Sequence, residues 1–108
     1  MLVKMETGAS GGGGGQSKSG TFTVPASSWG GVTLGFQPKK LYIGFEASTN
    51  GAGYCIYDEE QNVSRYVYRG SGFNVKNFED FCHINSNSFE IKNDFSSVSY
   101  TCYYLAEG

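Results

Sequence analysis

Long apolar runs are absent from this 108-residue chain. No stretch approaches the roughly 18 consecutive apolar residues that a membrane-crossing helix requires. Within the first fifteen residues only Met1, Leu2, Val3, Met5 and Ala9 are apolar. They are too few and too scattered for the core of an export signal, so neither a membrane nor a secretory route is expected. Basic charge is scarce as well: eight Lys and Arg stand against ten Asp and Glu, a formal net charge of -2. Without a basic patch there is little to neutralise a phosphate backbone, and nucleic acid is not an expected partner.

The residues that usually carry chemistry are equally thin. His83 is the only histidine, and a metal centre or a nucleophile–base pair would need it among further ligands or beside a Ser or Cys in space. Its neighbour Cys82 points the other way if the segment is a strand. The three cysteines, Cys55, Cys82 and Cys102, are an odd number at wide spacing, which fits buried thiols in a reducing compartment better than a disulfide framework. A Cys55–Cys102 bridge is the competing reading. Gly13 to Ser19 has the look of a phosphate loop, but Ser17 stands before Lys18 where that pattern requires glycine, and no apolar strand leads into it. The acidic clusters Asp58-Glu59-Glu60 and Glu79-Asp80 would need to face each other across a cleft to act as a glycosidase pair; in turns, acids are ordinarily just solvated. No catalytic residue, metal ligand or cofactor is expected.

Glycine, by contrast, is abundant, with 16 residues, five of them in the run Gly11 to Gly15. Residues 1–20 therefore read as a glycine-rich arm and linker, with Leu2, Val3 and Met5 as the apolar anchors of its alternating start. From Thr21 the pattern changes to period two, the mark of strands with one face inward. Phe22 and Val24 alternate with threonines; Val32, Leu34 and Phe36, then Leu41, Ile43 and Phe45, repeat the pattern. So do Tyr54 and Ile56, Val63 and Val67, Phe73 and Val75, Phe89 and Ile91, and finally Val98, Tyr100, Cys102 and Tyr104. About eight short antiparallel strands must pair two sheets to hide their apolar faces, so residues 21–108 are expected to form an all-β sandwich or jelly roll. Asn77 to His83 reads as either one helical turn or a distorted strand. Turns are expected at Gly30-Gly31, Gln37 to Lys40, Asn50-Gly51, Asp58 to Asn62, Gly70 to Gly72 and Asn85 to Asn87. The one at Pro38 would join Val32–Phe36 to Leu41–Phe45 as a hairpin.

Aromatics are the informative excess: eight Tyr, eight Phe and Trp29. Alternating phenylalanines belong to a core, whereas Tyr42, Tyr57, Tyr66, Tyr68 and Tyr103 fall opposite the main apolar rows. Exposed Tyr or Trp suits a protein interface or a sugar platform. These five and Trp29 are the candidate ligand or interface residues, with burial inside the sandwich as the alternative.

The stretch Gly20-Thr-Phe-Thr-Val, followed by Gly31-Val-Thr-Leu-Gly-Phe-Gln-Pro-Lys-Lys-Leu-Tyr-Ile-Gly-Phe45, resembles a module of virion and tail proteins of phages and prophages, especially those of Gram-positive hosts. There a Gly-Phe-x-Pro-Lys hairpin sits early in the domain. The closing run Tyr100-Thr-Cys-Tyr-Tyr-Leu-Ala-Glu-Gly108 is similar to the last aromatic strand of such modules, and Lys4 to Ser10 followed by polyglycine is similar to their arms. The resemblance implies a non-enzymatic component of a tailed-phage particle, assembled in the bacterial host cytoplasm and tied to other virion proteins by its arm. Tail tip, baseplate or fibre is the implied location, with a capsid decoration or head-fibre protein as the alternative. A homo-oligomer is expected, a trimer favoured, and a host-surface glycan is the candidate non-protein ligand.

Overall fold

The structure, a computed structural model, describes residues 16–47, 51–69 and 73–108. Leu2, Val3 and Met5, with the expected turn at Gly70 to Gly72, lie outside the described residues. Nine strands and one helical turn follow in chain order. They are β1 (Ser17–Val24), β2 (Ser28–Thr33), β3 (Lys40–Ala47), β4 (Ala52–Asp58), β5 (Val63–Arg69), β6 (Phe73–Lys76), α1 (Phe78–Phe81), β7 (Cys82–Ile84), β8 (Ser88–Asn93) and β9 (Tyr100–Glu107). One sheet has six strands in the order β1-β9-β3-β4-β5-β6, the other three in the order β2-β8-β7. Every pairing is antiparallel. The all-β, sandwich-like architecture expected from the alternation is therefore present.

The period of two does the folding work. Leu41, Ile43 and Phe45 of β3 and Tyr100, Cys102 and Tyr104 of β9 face inward from the large sheet. Phe89 and Ile91 of β8 meet them from the small one, at most 1% exposed. Burying each Leu, Ile or Phe of this kind contributes about 1.5–3 kcal/mol, and the rings add directed contacts. Phe22, Phe89 and Tyr104 form one cluster, with centroids 5.3–5.9 Å apart. Phe45 stacks between Tyr66 at 5.3 Å and Tyr100 at 4.6 Å in another. Edge and offset pairs at these distances are favourable beyond their buried area.

Asn93 ties the two sheets at one end. It is fully buried; its Nδ2 donates to the carbonyls of Val24 (3.2 Å) and Val98 (2.8 Å), and its Oδ1 accepts from the Phe95 N–H at 2.9 Å. The buried amide is thus matched on both sides, as burial of a polar group demands.

Several sequence expectations are corrected. Ser17–Gly20, read as linker, are strand residues paired with Tyr104–Glu107. Gly30 and Gly31 lie inside β2 and form no turn. Gly31 is glycine because a Cβ there would collide with the Phe89 carbonyl oxygen and the Glu90 backbone. The hairpin at Pro38 does not form: β2 pairs with β8 and β3 with β4 and β9, so residues 34–39 cross from one sheet to the other. Pro38 is buried in that crossing, and Gly35 supplies a φ of +88°. Asn77 to His83 resolves into the helical turn α1 followed by the strand β7. The faces of β4 and β5 are also the reverse of the expected ones, with Cys55 and Tyr66 inward and Tyr54, Ile56, Val63 and Val67 outward. Val98 precedes β9.

Candidate interaction surface

Register brings one row of side chains across the outer face of the six-stranded sheet. Tyr103 of β9 lies opposite Gly44 of β3, Gly44 opposite Tyr54 of β4, Tyr54 opposite Val67 of β5, and Val67 opposite Val75 of β6. Four inter-strand spacings make this row about 19 Å long. Tyr103 is 49% exposed, Tyr54 41% and Val75 60%. These are three of the four large hydrophobic residues exposed among the described residues, the fourth being Trp29. Val67, between Tyr54 and Val75, is almost fully covered. A parallel row, Leu105, Tyr42, Ile56 and Arg65, runs beside the first, with its three apolar members half-buried.

Gly44 leaves a gap in the longer row. A Cβ built there meets nothing within 4 Å, so a slot stands between Tyr103 and Tyr54, whose strands are about 9–10 Å apart. Charges flank the rows on the same face: Lys40, Arg65 and Arg69 against Glu46, Asp58 and Glu107. Asp58 is nearly buried and accepts the Gln61 N–H at 3.1 Å in the β4–β5 turn; Lys40 reaches Glu60 at 3.5 Å. Asp58, then Glu60, hold the Lys40 ammonium above its usual range. Burial pushes the Tyr42 phenol up, and Asp58 adds to that shift.

The tyrosines singled out from sequence divide. Tyr42 and Tyr103 are on the outer face. Tyr66 is 1% exposed, faces the core and places its hydroxyl 3.4 Å from the Lys92 carbonyl. Tyr68 faces inward and packs edge-on against Phe95 at 5.3 Å. Tyr57 is half-buried and stacks on Phe78 at 6.0 Å. The three face the inter-sheet side because β4 and β5 carry apolar residues on both faces and the bulkier aromatic set fills the space between the sheets; Tyr66 is buried there, whereas Tyr57 and Tyr68 are half-buried. Tyr54 was missed for the same reason.

Trp29 lies on the outer face of the small sheet, stacked on the His83 ring with centroids 4.3 Å apart and planes 17° from parallel. His83 Nδ1 is 3.0 Å from Glu90 Oε2. The indole face is thereby occupied within the chain, and Cys82 points inward while His83 points out. A shallow groove of about 380 Å³ opens beside this cluster, lined by Tyr57, Ser64, Phe78, His83, Ile84 and Asn85 among others.

Three of the five acids singled out from sequence have local partners: Asp80 accepts from Asn77 Nδ2 at 3.2 Å, beside the Asp58 and Glu60 contacts above. Among the described residues no three His, Cys, Asp or Glu side chains gather as metal ligands do. Cys55, Cys82 and Cys102 are free, buried thiols. No described helix is long and apolar enough to cross a membrane. Comparison with known proteins brings no match: neither a family model, nor a curated protein, nor a solved structure aligns with this chain.

Proposed function

We propose that the chain is a non-catalytic structural module of a tailed-phage particle that assembles through the outer face of its six-stranded sheet. The observation that carries this reading is the row Tyr103, Gly44, Tyr54, Val67 and Val75, in which Tyr103, Tyr54 and Val75 are exposed, with charged residues around it. Specific protein interfaces have that anatomy, with Tyr enriched at the centre and charge displaced to the rim. Antiparallel strands hold these side chains on a rigid base, so little ordering entropy opposes docking. The phage context comes from the resemblance of Gly31–Phe45 and of the closing Tyr-rich strand to virion modules. Tail tip, baseplate or fibre is the proposed location, and capsid decoration the alternative.

The test uses particles purified from a strain that carries the gene. The chain is expected there in stoichiometric amount, and deletion of residues 1–15 is expected to leave a folded β domain that no longer enters particles. Absence of the chain from purified particles, or undiminished entry of the truncated form, would count against the proposal.

The slot over Gly44 supports a second reading, a host-surface carbohydrate module, because two tyrosines about 9–10 Å apart can flank a sugar ring. Binding of cell-wall glycans that is lost in Tyr54→Ala and Tyr103→Ala would support it; silence at millimolar glycan would remove it.

A further inference from the structure

We infer that the outer face of the six-stranded sheet docks a second copy of this chain, the two sheets packing face to face about a two-fold axis that passes between Gly44 and Tyr54. This inference rests on the assembly reading above and specifies its first step. Three observations on that face point to a second copy.

The first is shape. A two-fold interface is self-complementary: whatever protrudes on the patch must find its matching hollow on the same patch. Tyr54 protrudes, 41% exposed, and its direct cross-strand neighbour Gly44 is the hollow, with nothing within 4 Å of where a Cβ would stand. An axis between the two seats each copy's Tyr54 over the other's Gly44. Tyr103, on the far side of Gly44, then closes on the same ring from its other side.

The second is charge. Lys40, Arg65 and Arg69 balance Glu46, Asp58 and Glu107, three against three. Two identical faces of zero formal charge meet without net repulsion, whereas a strongly charged partner gains no steering from such a face.

The third is area. Six strands about 4.8 Å apart and some seven residues long give a face of roughly 24 by 23 Å, about 550 Å² in projection. A corrugated surface of that projection offers an accessible area of the order of the ~800 Å² that each partner of a standard interface covers. Stacked sheets also pack about 10 Å apart, which two rows of Tyr, Val, Ile and Leu side chains fill. The result is a pair in place of the trimer expected from sequence.

Sedimentation of the full chain separates the outcomes. The wild type is expected to sediment at twice 11.7 kDa at concentrations of tens of micromolar. Gly44→Lys fills the hollow with a side chain that is free to extend into solvent in the single copy, and Tyr54→Ala removes the knob. Both are expected to sediment as single copies, their dissociation constants raised at least about tenfold, with circular dichroism close to wild type and a melting temperature close to it in solution dilute enough that the wild type is also single. Trp29→Ala, on the other sheet, is expected to pair as the wild type does.

A wild type that stays single at several hundred micromolar would overturn the inference, as would pairs that survive in both face variants. A single-copy wild type whose Tyr54 and Tyr103 are shielded by a glycan, or by the chain's own N-terminal residues, would overturn it in favour of that occupant. Particle incorporation is measured independently. A protein that enters particles but never pairs defeats only this inference, and one that pairs but never enters particles defeats only the phage reading.

Discussion

Replacing Asn93 with Leu removes the one fully buried side-chain amide in the described fold while keeping its branched shape. Three groups lose a partner: the Val24 carbonyl, the Val98 carbonyl and the Phe95 N–H. Val24 is itself 0% exposed, so water does not reach its carbonyl as readily as it reaches the other two, which belong to the half-buried Phe95 and Val98 in an otherwise exposed 94–99 connection. Stranding a buried polar group costs about 1–3 kcal/mol, and losing a hydrogen bond whose partner water can replace costs about 0.5–1.5 kcal/mol. One stranded carbonyl plus two partly rescued groups, less about 1 kcal/mol from the added apolar burial, gives a loss near 3 kcal/mol. With a urea m-value of about 1.5 kcal/mol/M for a domain of this size, the midpoint falls by about 2 M at unchanged m. Asn93→Asp keeps the acceptor for Phe95 but sets a carboxylate against two carbonyls. Its folded pKa is raised above the unfolded ~3.9, so its deficit is small in acid and grows as pH rises through the carboxyl range. Urea titrations of both variants at pH 3.5 and pH 7, followed by circular dichroism, give the numbers. An Asn93→Leu midpoint within about 0.3 M of wild type would refute the reasoning.

Stability is expected to fall steeply in alkali. Burial pushes the Cys102 thiol up to about 12 and the Tyr100 phenol up to about 12; the Cys82 thiol, then burial, raises Cys55, and burial, then Tyr100, raises Tyr66. Above pH 9 the unfolded chain releases these protons and the folded one keeps them, so unfolding is favoured as pH rises. Cys102 alone withdraws roughly 2–3 kcal/mol by pH 11. Flat denaturation midpoints between pH 8 and 10.5 would contradict this. Two glycine substitutions should differ in sign. Gly31→Ala drives a Cβ into the β8 backbone and should lower the melting temperature by about 8 °C or more, at ~4–8 °C per kcal/mol. Gly44→Ala meets open space and should leave stability unchanged or raise it by up to about 1 kcal/mol. Parallel melting curves settle the comparison, and a common sign would undo the reading of those two sites.

What was legible beforehand follows from where only one face of a strand is apolar. In β8, Phe89 and Ile91 alternate with Ser88, Glu90 and Lys92; in β3 and β9 the rows Leu41, Ile43, Phe45 and Tyr100, Cys102, Tyr104 are opposed by Lys40, Gly44, Glu46, Thr101 and Glu107, so the inward set is legible although Tyr42, Tyr103 and Leu105 share that other face. In β4 and β5 both faces carry apolar or aromatic residues, Tyr54, Ile56, Val63 and Val67 on one and Cys55, Tyr57, Tyr66 and Tyr68 on the other, so Tyr54 against Cys55, and Tyr66 against Val67, had no binary solution. The surface row was hidden for a related reason. It depends on which residue of one strand stands opposite which residue of another, and sequence does not give the pairing of Gly44 with both Tyr54 and Tyr103. Gly30-Gly31 looked like a turn because glycine serves both tight turns and close backbone approach; only the distance to β8 distinguishes them. Asn93 carried no visible signal, since one Asn at a strand end is common and its three partners are 2, 5 and 69 residues away.

Hydroxyl-radical footprinting of the chain, free in dilute solution and again within purified particles, addresses the working surface directly. Tyr54 and Tyr103 should lose most of their reactivity on assembly while Trp29, held against His83 on the opposite sheet, keeps its own. Unchanged labelling of both tyrosines in particles that contain the chain would contradict the assignment of that face.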